Sequence, residues 1–540
     1  MWQHQYTPVG NSLPLSAIVA ALPVAALLIV LAGLRKAAWI ASLAGLATAA
    51  IVAIAVYGMP VFLAASAFAY GAAQGLFPIG WVVFTAVLLY NITVTTGRFD
   101  IVRSSVANLT ADRRLQALLI AFAFGAFIEG AAGFGTPVAV AAAMLTGLGF
   151  KPFRAATICL LANTAPVAFG SIGTPLIMLA AVTGLPLLQL SGWVGRFCAP
   201  VSLFIPAYLI LTMGGWKALR GVLPAAILCG VSFGGMQFLV SNYVGTELTR
   251  AGLTDILASI TAMGALVLLL QFWSPSDSFQ LEGDGAPHPR SVIPVRRVCA
   301  GWAPFALLVV CVAAWGYPPI QTQLASAALK FPWPGLHRLI IRMPPVAVRA
   351  TPYDALYTFS WLSASGTACL VAAILSAFVC RIKPAAFVRV VGRTARQLVL
   401  AEVTIAVVLG LAFLMNYSGA TGTLGLTFAA TGSLFPFFGA LLGWVGVFLT
   451  GSDTSANALF GSLQVITAQK LHISPVLMAA ANSSGGVMGK MISLQNIAVA
   501  AAATGLAAAD ESKLFRFTLR HSIFLACVVG IIAMVYASAS

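Results

Sequence analysis

Residues 127–137 read FIEGAAGFGTP, and residues 448–461 read FLTGSDTSANALFG. Both stretches interrupt long apolar runs with glycines, threonine and one acidic residue. Each is followed at a similar distance by a further polar stretch, ANTAPVAFGSIGTPLI from residue 162 and AANSSGGVMGKMISLQNIA from residue 480. The chain therefore opens twice into polar, glycine-rich sequence of the same kind.

The two polar windows, 127–177 and 448–498, are related as an internal repeat. The offset between matching residues falls from 321 positions at Phe127 to 319 at Asn163, which indicates a two-residue slip. Hydrophobic segments broken by Gly and Pro in corresponding halves point to the binding site of a secondary transporter. The reason is that unwound backbone at membrane depth must be buried in protein or line a cavity. We therefore predict that the windows form a substrate site.

Composition places the chain in a bilayer. Of its 540 residues 60% are hydrophobic and 8% charged, against roughly 25% charged in soluble domains. The net charge of +16 does not indicate a nucleic-acid partner, because the basic residues form short clusters between apolar runs, as topology determinants do. The eight cysteines are scattered and form no CxxC motif, so neither a disulfide framework, a metal site nor a cofactor is predicted.

Apolar runs of about 20 residues, the length that crosses a bilayer, recur along the sequence. They are predicted at 13–33, 37–57, 76–96, 197–214, 221–243, 255–273, 299–316, 357–380, 397–415 and 516–537. Shorter or broken runs around the windows, predicted to be re-entrant hairpins and interrupted helices, lie at 115–128, 137–149, 155–184, 431–450, 456–468 and 475–508. The run 61–75 is either a further broken element or a helix at the interface.

Basic loops set the predicted orientation. If the N-terminus lies outside, six basic stretches are all cytoplasmic: 35–36, 98–114, 217–220, 290–297, 381–396 and 513–520. The first window is then entered from the cytoplasm and the second from outside, which predicts two inverted repeats. The loop 317–352 lies outside despite its four basic residues, since long loops escape the charge rule. A hydrophilic linker, 274–298, separates an N-terminal half (1–273) from a C-terminal half (299–540).

Three acidic residues, Glu129, Glu402 and Asp453, stand out within apolar stretches. An ionisable group at membrane depth is a functional hypothesis by default, and a low-dielectric site favours the protonated form of a carboxyl group. Glu129 and Asp453, at nearly matching repeat positions, are therefore the candidate proton carriers. The alternatives are that Glu129 caps a broken helix, that Asp453 N-caps the helix beginning TSANAL, and that Glu402 faces Arg393 and Arg396.

Lys490 is a cation deep in the second window. It could neutralise a substrate carboxylate, with helix N-termini adding N–H donors, or form an internal ion pair with Asp453 or Glu129. Both roles could alternate. Further candidates offer hydroxyl and amide groups suited to an anion that carries a neighbouring hydroxyl, although membrane Ser and Thr often bond only to helix backbone. They are Asn163, Thr164, Thr174, Ser452, Thr454, Ser455, Asn457, Asn482, Ser483, Ser484 and Ser493.

Glycines and prolines of the windows are candidate hinge or backbone-approach positions. They are Gly133, Gly135, Pro137, Gly170, Gly173, Pro175, Gly485, Gly486 and Gly489. Helix packing is the rival explanation, because small residues line helix interfaces in membranes.

At these windows the sequence resembles the lactate permease family of secondary transporters, which includes L-lactate and glycolate permeases of bacteria. The resemblance is carried by FIEGAAGFGTPVAVAAAMLTGLGF, RAATICLLANTAPVAFGSIGTP, GWVGVFLTGSDTSANALFGSLQ and AANSSGGVMGKMIS, and by the length and hydropathy of the chain. The family usually continues the last stretch with Pro and Gln, whereas here Leu494 precedes Gln495.

The resemblance implies a multi-pass protein of the bacterial inner membrane that imports a 2-hydroxy monocarboxylate, such as L-lactate, D-lactate or glycolate, with protons. It also suggests an elevator-type architecture, with a rocking mechanism as the alternative. The expected class is thus an all-α polytopic symporter with two inverted repeats, and not an enzyme. Sodium coupling, a proton-channel subunit and a membrane-embedded enzyme remain alternatives, and the sequence does not decide between a monomer and a homo-oligomer.

Overall fold

Apolar sequence in a bilayer folds into helices, because every backbone polar group must be satisfied within the protein. The computed structural model describes residues 1–34, 36–133, 136–277, 279, 293–506 and 508–539. Within these ranges ten helices are long and apolar enough to cross a membrane. The expectation of a helical, polytopic membrane protein is confirmed.

The helices of the N-terminal half precede residue 274. They are α1 Leu13–Leu28, α2 Ala38–Ile51, α3 Val61–Gln74, α4 Trp81–Thr95, α5 Arg98–Ala107, α6 Arg113–Gln116, α7 Gly125–Ala131, α8 Thr136–Gly147, α9 Pro152–Ala162, α10 Gly170–Thr183, α11 Leu187–Tyr243, α12 Glu247–Gly252 and α13 Thr254–Phe272. Four π-helical segments, at Ile29–Gly33, Val52–Val56, Gly75–Gly80 and Ala117–Phe124, extend or join them.

The helices of the C-terminal half follow residue 293. They are α14 Val295–Trp315, α15 Pro318–Ala325, α16 Ser365–Val379, α17 Pro384–Ser418, α18 Ala420–Phe428, α19 Phe435–Thr450, α20 Asp453–Lys470, α21 Pro475–Gly489, α22 Leu494–Thr504 and α23 Ala508–Ala539. Two 3₁₀ turns lie at Ala429–Leu434 and Lys490–Ile492. Helix α14 begins inside the predicted linker 274–298, of which residues 278 and 280–292 lie outside the described part of the chain.

Several predicted runs correspond to helices that carry internal breaks. The run 61–75 is helix α3, which packs along α17 and is separated from α4 by non-helical backbone at Phe77. The run 115–128, predicted as part of a re-entrant hairpin, lies in a 19-residue helical stretch from Arg113 to Ala131 with a π-helical middle. The predicted spans 197–214 and 221–243 both fall within α11, on either side of non-helical backbone at Gly214 and Gly215.

The predicted span 357–380 is wrong at its start. Leu356–Phe359 forms a strand, and the helix begins only at Ser365. Five short strands, β1 Trp2–Gln3, β2 Leu329–Pro332, β3 Ile340–Arg342, β4 Thr351–Pro352 and β5 Leu356–Phe359, build two small sheets. In one sheet β3 pairs in parallel with β1 and antiparallel with β4, and in the other β2 pairs with β5. The N-terminus and the segment 317–364, which we call the cap segment, therefore lie on one face of the molecule.

The two halves interlock and do not pack as separate bundles. We name four units: the first hairpin (113–147), the first interrupted span (152–183), the second hairpin (435–470) and the second interrupted span (475–504). Helix α10 of the first half packs along α20 of the second, and α22 of the second packs against α8 and α9 of the first. The chain breaks in all four units consequently meet inside the protein.

Candidate functional site

The tips of both hairpins are made by glycine. The first hairpin turns after α7 at Gly133, whose φ is +60°. The second turns between α19 and α20, where Gly451 has a φ of +73° and the hydroxyl of Ser452 accepts a hydrogen bond from the N–H of Ser455. Glycine adopts this left-handed conformation without steric cost, and Ser is a preferred N-cap. Sequence-predicted Gly135 lies outside the described residues.

The two interrupted spans differ in the length of their non-helical break. The backbone is irregular between α9 and α10, and within the first turn of α10 Ser171, Ile172 and Gly173 all have positive φ, at 48°, 56° and 75°. A β-branched residue such as Ile172 rarely adopts this conformation, and such backbone clusters at functional sites. The second interrupted span breaks only over the turn that starts at Lys490, and Ser493 caps α22 by accepting the N–H of Asn496.

A cavity of about 330 Å³ lies where the four breaks meet. Three charged side chains line it: Glu129 from the first hairpin, Asp453 from the second hairpin and Lys490 from the second interrupted span. Its other polar lining residues are Ser171, Thr174, Thr404, Thr450, Ser452, Thr454, Ser455, Gln495 and Asn496. The cavity also reaches Ala37, Ala38 and Trp39 at the start of α2, where the alanines are exposed.

Glu129 and Lys490 form a buried ion pair. Nζ of Lys490 donates to Oε1 of Glu129 at 2.6 Å, and the two residues are 7% and 2% exposed. The amide of Asn163 donates to the other carboxylate oxygen at 3.0 Å, while its own carbonyl oxygen has no partner in the described part of the chain. The sequence left two partners open for Lys490, and the structure places it on Glu129.

Asp453 belongs to a separate polar network. Its Oδ2 accepts hydrogen bonds from the hydroxyl of Ser483 at 2.7 Å and the amide of Asn457 at 3.2 Å. Asn457 in turn accepts from Asn482 at 2.9 Å. Oδ1 of Asp453 is buried without a partner in the described ranges. The alternative that Asp453 N-caps α20 is wrong, because Ser452 performs that function.

Gly170 and Gly486 leave space for the carboxyl groups of Glu129 and Asp453 to lie directly against the helix backbone. A Cβ atom at Gly170 would lie 2.8 Å from Oε1 of Glu129, and one at Gly486 would lie 2.6 Å from Oδ1 of Asp453. Each acidic side chain of a hairpin thus rests against a glycine of the interrupted span in its own half. Gly485 and Gly489 instead face the carbonyls of Ala440 and Trp444 on α19, which is the packing role of small residues in membranes.

The electrostatics of the cavity suit a small anion. The first turns of α20 and α22 line it, so the partial positive ends of two helix dipoles face it together with Lys490. The ammonium of Lys490 is compensated by Glu129, whereas Asp453 has no cation in bonding range in the described chain. The site therefore holds a cation whose internal partner a ligand carboxylate could replace.

The structure divides the sequence-predicted residues into three groups. Those that line the cavity are Glu129, Gly133, Gly170, Thr174, Pro175, Ser452, Asp453, Thr454, Ser455 and Lys490. Those in the buried network behind it are Asn163, Asn457, Asn482 and Ser483. Those that lie elsewhere are Thr164, which donates to the carbonyl of Leu161 at the end of α9, Ser484, which contacts Cys198, Ser493, which donates to the carbonyl of Lys490, Gly173, against Ala251, and Pro137, near the start of α8.

Asp255 is a buried acidic residue that the sequence analysis missed. It is fully buried at the start of α13, and its Oδ1 accepts from the amide of Gln237 at 2.9 Å. The same amide donates to the carbonyl of Ala165 in the first break, and Ser202 donates to Gln237. Oδ2 of Asp255 has no partner among the residues described. In sequence Asp255 is the first residue of the predicted span 255–273, a position typical of an interfacial residue.

Glu402 lies outside the site. It faces Gly80 within an apolar cavity of about 530 Å³ between α17 and the start of α4. The expectation that it faces Arg393 and Arg396 is not met, because no ion pair joins it to either arginine in the described residues, and its Oε1 has no partner there. Neighbouring residues of α17, including Ala401 and Thr404, line the central cavity, so this helix separates the two spaces.

Comparison with known proteins connects this geometry with a family. The sequence profile described as L-lactate permease matches residues 16–539. The chain is 46% identical to the L-lactate permease of Bacillus subtilis, covering 98% of this chain and 97% of that one. It is 44% identical to the L-lactate permease of Salmonella typhimurium, with 99% and 98% covered. It is 43% identical to the glycolate permease GlcA of Escherichia coli, again with 99% and 98% covered.

Among solved structures, the chain is similar to the YdaH transporter of Alcanivorax borkumensis. The TM-score is 0.45 at 12% identity, and the match covers 87% of each chain.

Proposed function

Because the chain belongs to the L-lactate permease family, we propose that it carries a small 2-hydroxy monocarboxylate, lactate or glycolate, across the bacterial inner membrane together with a proton. It is a multi-pass membrane transporter and not an enzyme. The relatives named for L-lactate and for glycolate transport are similar to it over almost their whole length. Both substrates are small carboxylates with a hydroxyl on the neighbouring carbon.

The observation that carries the proposal is the ion pair of Lys490 and Glu129 inside the central cavity. A buried cation must keep a partner, since an uncompensated charge at this depth is costly. When the substrate carboxylate binds Lys490, it displaces Glu129. The released Glu129 carboxylate then takes a proton, because a low-dielectric site without a counter-ion favours its neutral form.

Charge balance explains why proton and substrate move together. Before binding, one ammonium and one carboxylate neutralise each other. After binding, the ammonium is neutralised by the substrate, and Glu129 is neutral because it has gained a proton. The moving site therefore carries no net charge from this pair in either state, which lowers the electrostatic cost of crossing the membrane. Substrate without a proton would leave two anions beside one cation.

Asp453 is the proposed second proton-binding group. Asp453 lines the same cavity, its Oδ2 is fixed by Ser483 and Asn457, and its buried Oδ1, which has no partner in the described ranges, is the proposed proton-binding atom. The substrate hydroxyl is proposed to bond to the hydroxyls around the tip of the second hairpin. Groups of this kind could distinguish a 2-hydroxy acid from acetate, since an unmet hydrogen bond in a buried site weakens binding strongly.

We further propose that the halves are inverted repeats and that the cavity opens to the cytoplasm. The basic clusters assign the start of α2 to the cytoplasmic side, and the cavity reaches Ala37 and Ala38 there. Movement of the hairpins relative to the rest of the chain, as in an elevator, would then alternate access. Proteins with broken helices at mid-membrane commonly move one unit against another.

Counterflow in proteoliposomes tests the substrate class. Vesicles loaded with unlabelled L-lactate should accumulate labelled L-lactate, and excess external D-lactate or glycolate should compete better than acetate. Equal competition by acetate would contradict recognition of the hydroxyl. Uptake is also measured with and without sodium at fixed pH, because dependence on sodium and not on a pH gradient would replace proton coupling by sodium coupling.

A further inference from the structure

We propose a second carboxylate-binding site centred on Arg342, an access site for substrate on the face that carries the N-terminus and the cap segment. A polar cavity of about 120 Å³ lies there, several times the volume that one water needs. It is lined by residues from the N-terminus, the cap segment and helices α10, α17 and α20. The proposal rests on the proposed function for the identity of the ligand, a small monocarboxylate.

Arg342 has unused hydrogen-bonding capacity. Its guanidinium lies over the ring of Tyr353, 4.6 Å from the centroid, and its Nε is buried with no hydrogen-bond partner in the described part of the chain. No ion pair joins Arg342 to a carboxylate among those residues, whereas neighbouring Asp354 is paired with Arg338 at 2.8 Å. Stacking engages the face of the guanidinium and leaves its in-plane N–H donors for a carboxylate, which they match in a bidentate manner.

The surroundings hold Arg342 in place. Its backbone is in β3, paired with Thr351 of β4, and Tyr353 stacks on Tyr417 with ring centroids 4.2 Å apart. His4 bonds through both ring nitrogens, to Tyr6 and to the carbonyl of Tyr417, and burial lowers its pKa to about 4. At neutral pH His4 is therefore uncharged, and Arg342 supplies the positive charge of the cavity.

Charge around the cavity favours anions. An adjoining groove of about 750 Å³ shares Arg342 and adds Arg349, Lys470 and His472, and none of the described residues that line it is acidic. Neutral donors and acceptors for a substrate hydroxyl come from Asn416, Ser462, Gln469 and Thr183 in the smaller cavity. A basic mouth of this kind raises the local concentration of small anions and their rate of entry, an effect that salt screens.

The Arg342 cavity and the central cavity lie at two ends of one helix seam. Near the central cavity, Asn457 of α20 donates to the carbonyl of Pro175 in α10 at 3.2 Å. Five residues further along α20 and seven along α10, Ser462 donates to the carbonyl of Val182 at 2.7 Å, and Val182 and Ser462 both line the Arg342 cavity. A carboxylate bound at Arg342 would thus lie at one end of the contact between α10 and α20, and the other end of this contact lines the central cavity.

The test compares Arg342→Gln with Arg338→Gln, an exposed arginine of the same segment that serves as the matched control. Initial rates of L-lactate uptake are measured with substrate supplied on the cap-segment side. For Arg342→Gln we expect the uptake KM to rise about tenfold, with the uptake kcat changed less than twofold and a weaker salt dependence of that KM. Because transport is reversible, kcat/KM for efflux must fall by the same factor, and we expect this fall in the efflux kcat with the efflux KM unchanged. Arg338→Gln should behave as wild type. An unchanged uptake KM, or an equal rise of KM in both directions, would overturn the access site.

Two further arms separate the explanations. In the first arm, uptake by Arg342→Gln and Arg338→Gln is measured in phosphatidylcholine vesicles with and without phosphatidylglycerol. A rise in KM that occurs only with the anionic lipid would assign the cavity to a lipid headgroup and overturn the proposal. L-lactate binding is also titrated in the Glu129→Gln/Lys490→Gln double variant, where residual binding should weaken about tenfold when Arg342→Gln is added. No residual binding would overturn the site. Absence of lactate transport by the wild type would instead refute the proposed function.

Discussion

Lys490 and Glu129 are 361 positions apart in the sequence, yet their side chains meet at 2.6 Å inside a cavity that both halves of the chain build. The pair joins the second interrupted span to the first hairpin. Movement of one half relative to the other must therefore carry both partners together or separate them. In the proposed mechanism, substrate and proton replace the bond between them.

Replacement of Glu129 by Gln should abolish accumulation of lactate driven by a pH gradient. The amide cannot take up a proton, so binding of substrate at Lys490 is no longer linked to protonation. Accumulation is measured in proteoliposomes with an imposed pH gradient, and membrane insertion is checked by detergent-extracted yield. Glu402→Gln, a change outside the cavity, is the control and should accumulate lactate as wild type does. Normal accumulation by Glu129→Gln would exclude Glu129 as the carrier.

Asp453→Asn should also impair proton-driven uptake while the protein still inserts. The amide can keep one hydrogen bond with Ser483 or Asn457, so the fold is retained, but the carboxyl group that would bind the proton is lost. The ratio of accumulation to counterflow is the readout. If this ratio equals that of the wild type, Asp453 has a structural role.

Removal of one partner of the ion pair should destabilise the protein more than removal of both. Lys490→Gln leaves Glu129 buried without a cation, which costs about 3–5 kcal/mol, whereas the double variant with Glu129→Gln leaves no uncompensated charge. Thermal unfolding in detergent should rank the single variant below the double variant. Both should bind lactate weakly at the central cavity. A single variant as stable as the wild type would show that the charges are not interdependent.

Alanine at Gly170 or Gly486 should reduce transport at least tenfold, because the new methyl group displaces Glu129 or Asp453 from its position. Gly264→Ala in α13 is the matched control, since a Cβ atom there meets nothing within 4 Å. Uptake is compared at equal amounts of inserted protein. If all three variants transport alike, the close approach of the carboxyl groups has no function.

Asp255 should be tolerant of Asn and intolerant of Leu. Asn keeps an acceptor for Gln237, whereas Leu leaves the Gln237 amide buried with one partner fewer, at a cost of about 1–3 kcal/mol. Because Gln237 also bonds Ala165, the Leu variant should loosen the first break as well as lower the unfolding temperature. Hydrogen exchange of residues 163–173 reports the first effect. Unaltered exchange in the Leu variant would disprove that Asp255 supports the break.

The sequence predicted which segments meet, because polar glycine-rich stretches within apolar runs must avoid lipid and so are buried together. Glu129, Asp453 and Lys490 consequently line one cavity as expected. The sequence did not identify the partner of Lys490, since that choice depends on how hairpin tips hundreds of residues apart are packed. The sequence also did not distinguish neighbouring glycines that have different roles in the structure. Gly486 accommodates a carboxylate, while Gly485 beside it packs on α19.

Other differences between the sequence prediction and the structure arise in segments where composition was the only guide. Leu356–Phe359 is as apolar as a membrane helix but pairs with β2 in a sheet of the cap segment. Asp255 is the first residue of the predicted span 255–273 and was not singled out, yet it is completely buried and its carboxylate accepts from Gln237 of α11, which also bonds the first break. In both cases tertiary partners, which a single sequence does not display, override the local pattern.

The central claim, that substrate replaces Glu129 on Lys490 while Glu129 is protonated, is tested most directly by counting protons. Lactate is added to wild-type proteoliposomes in weakly buffered medium, and external alkalinisation is measured beside uptake of labelled lactate. The mechanism predicts at least one proton per lactate molecule taken up by the wild type, and fewer protons per lactate molecule in Glu129→Gln even where lactate exchange persists. Lactate uptake by the wild type without proton uptake, or proton uptake by Glu129→Gln equal to that of the wild type, would contradict it.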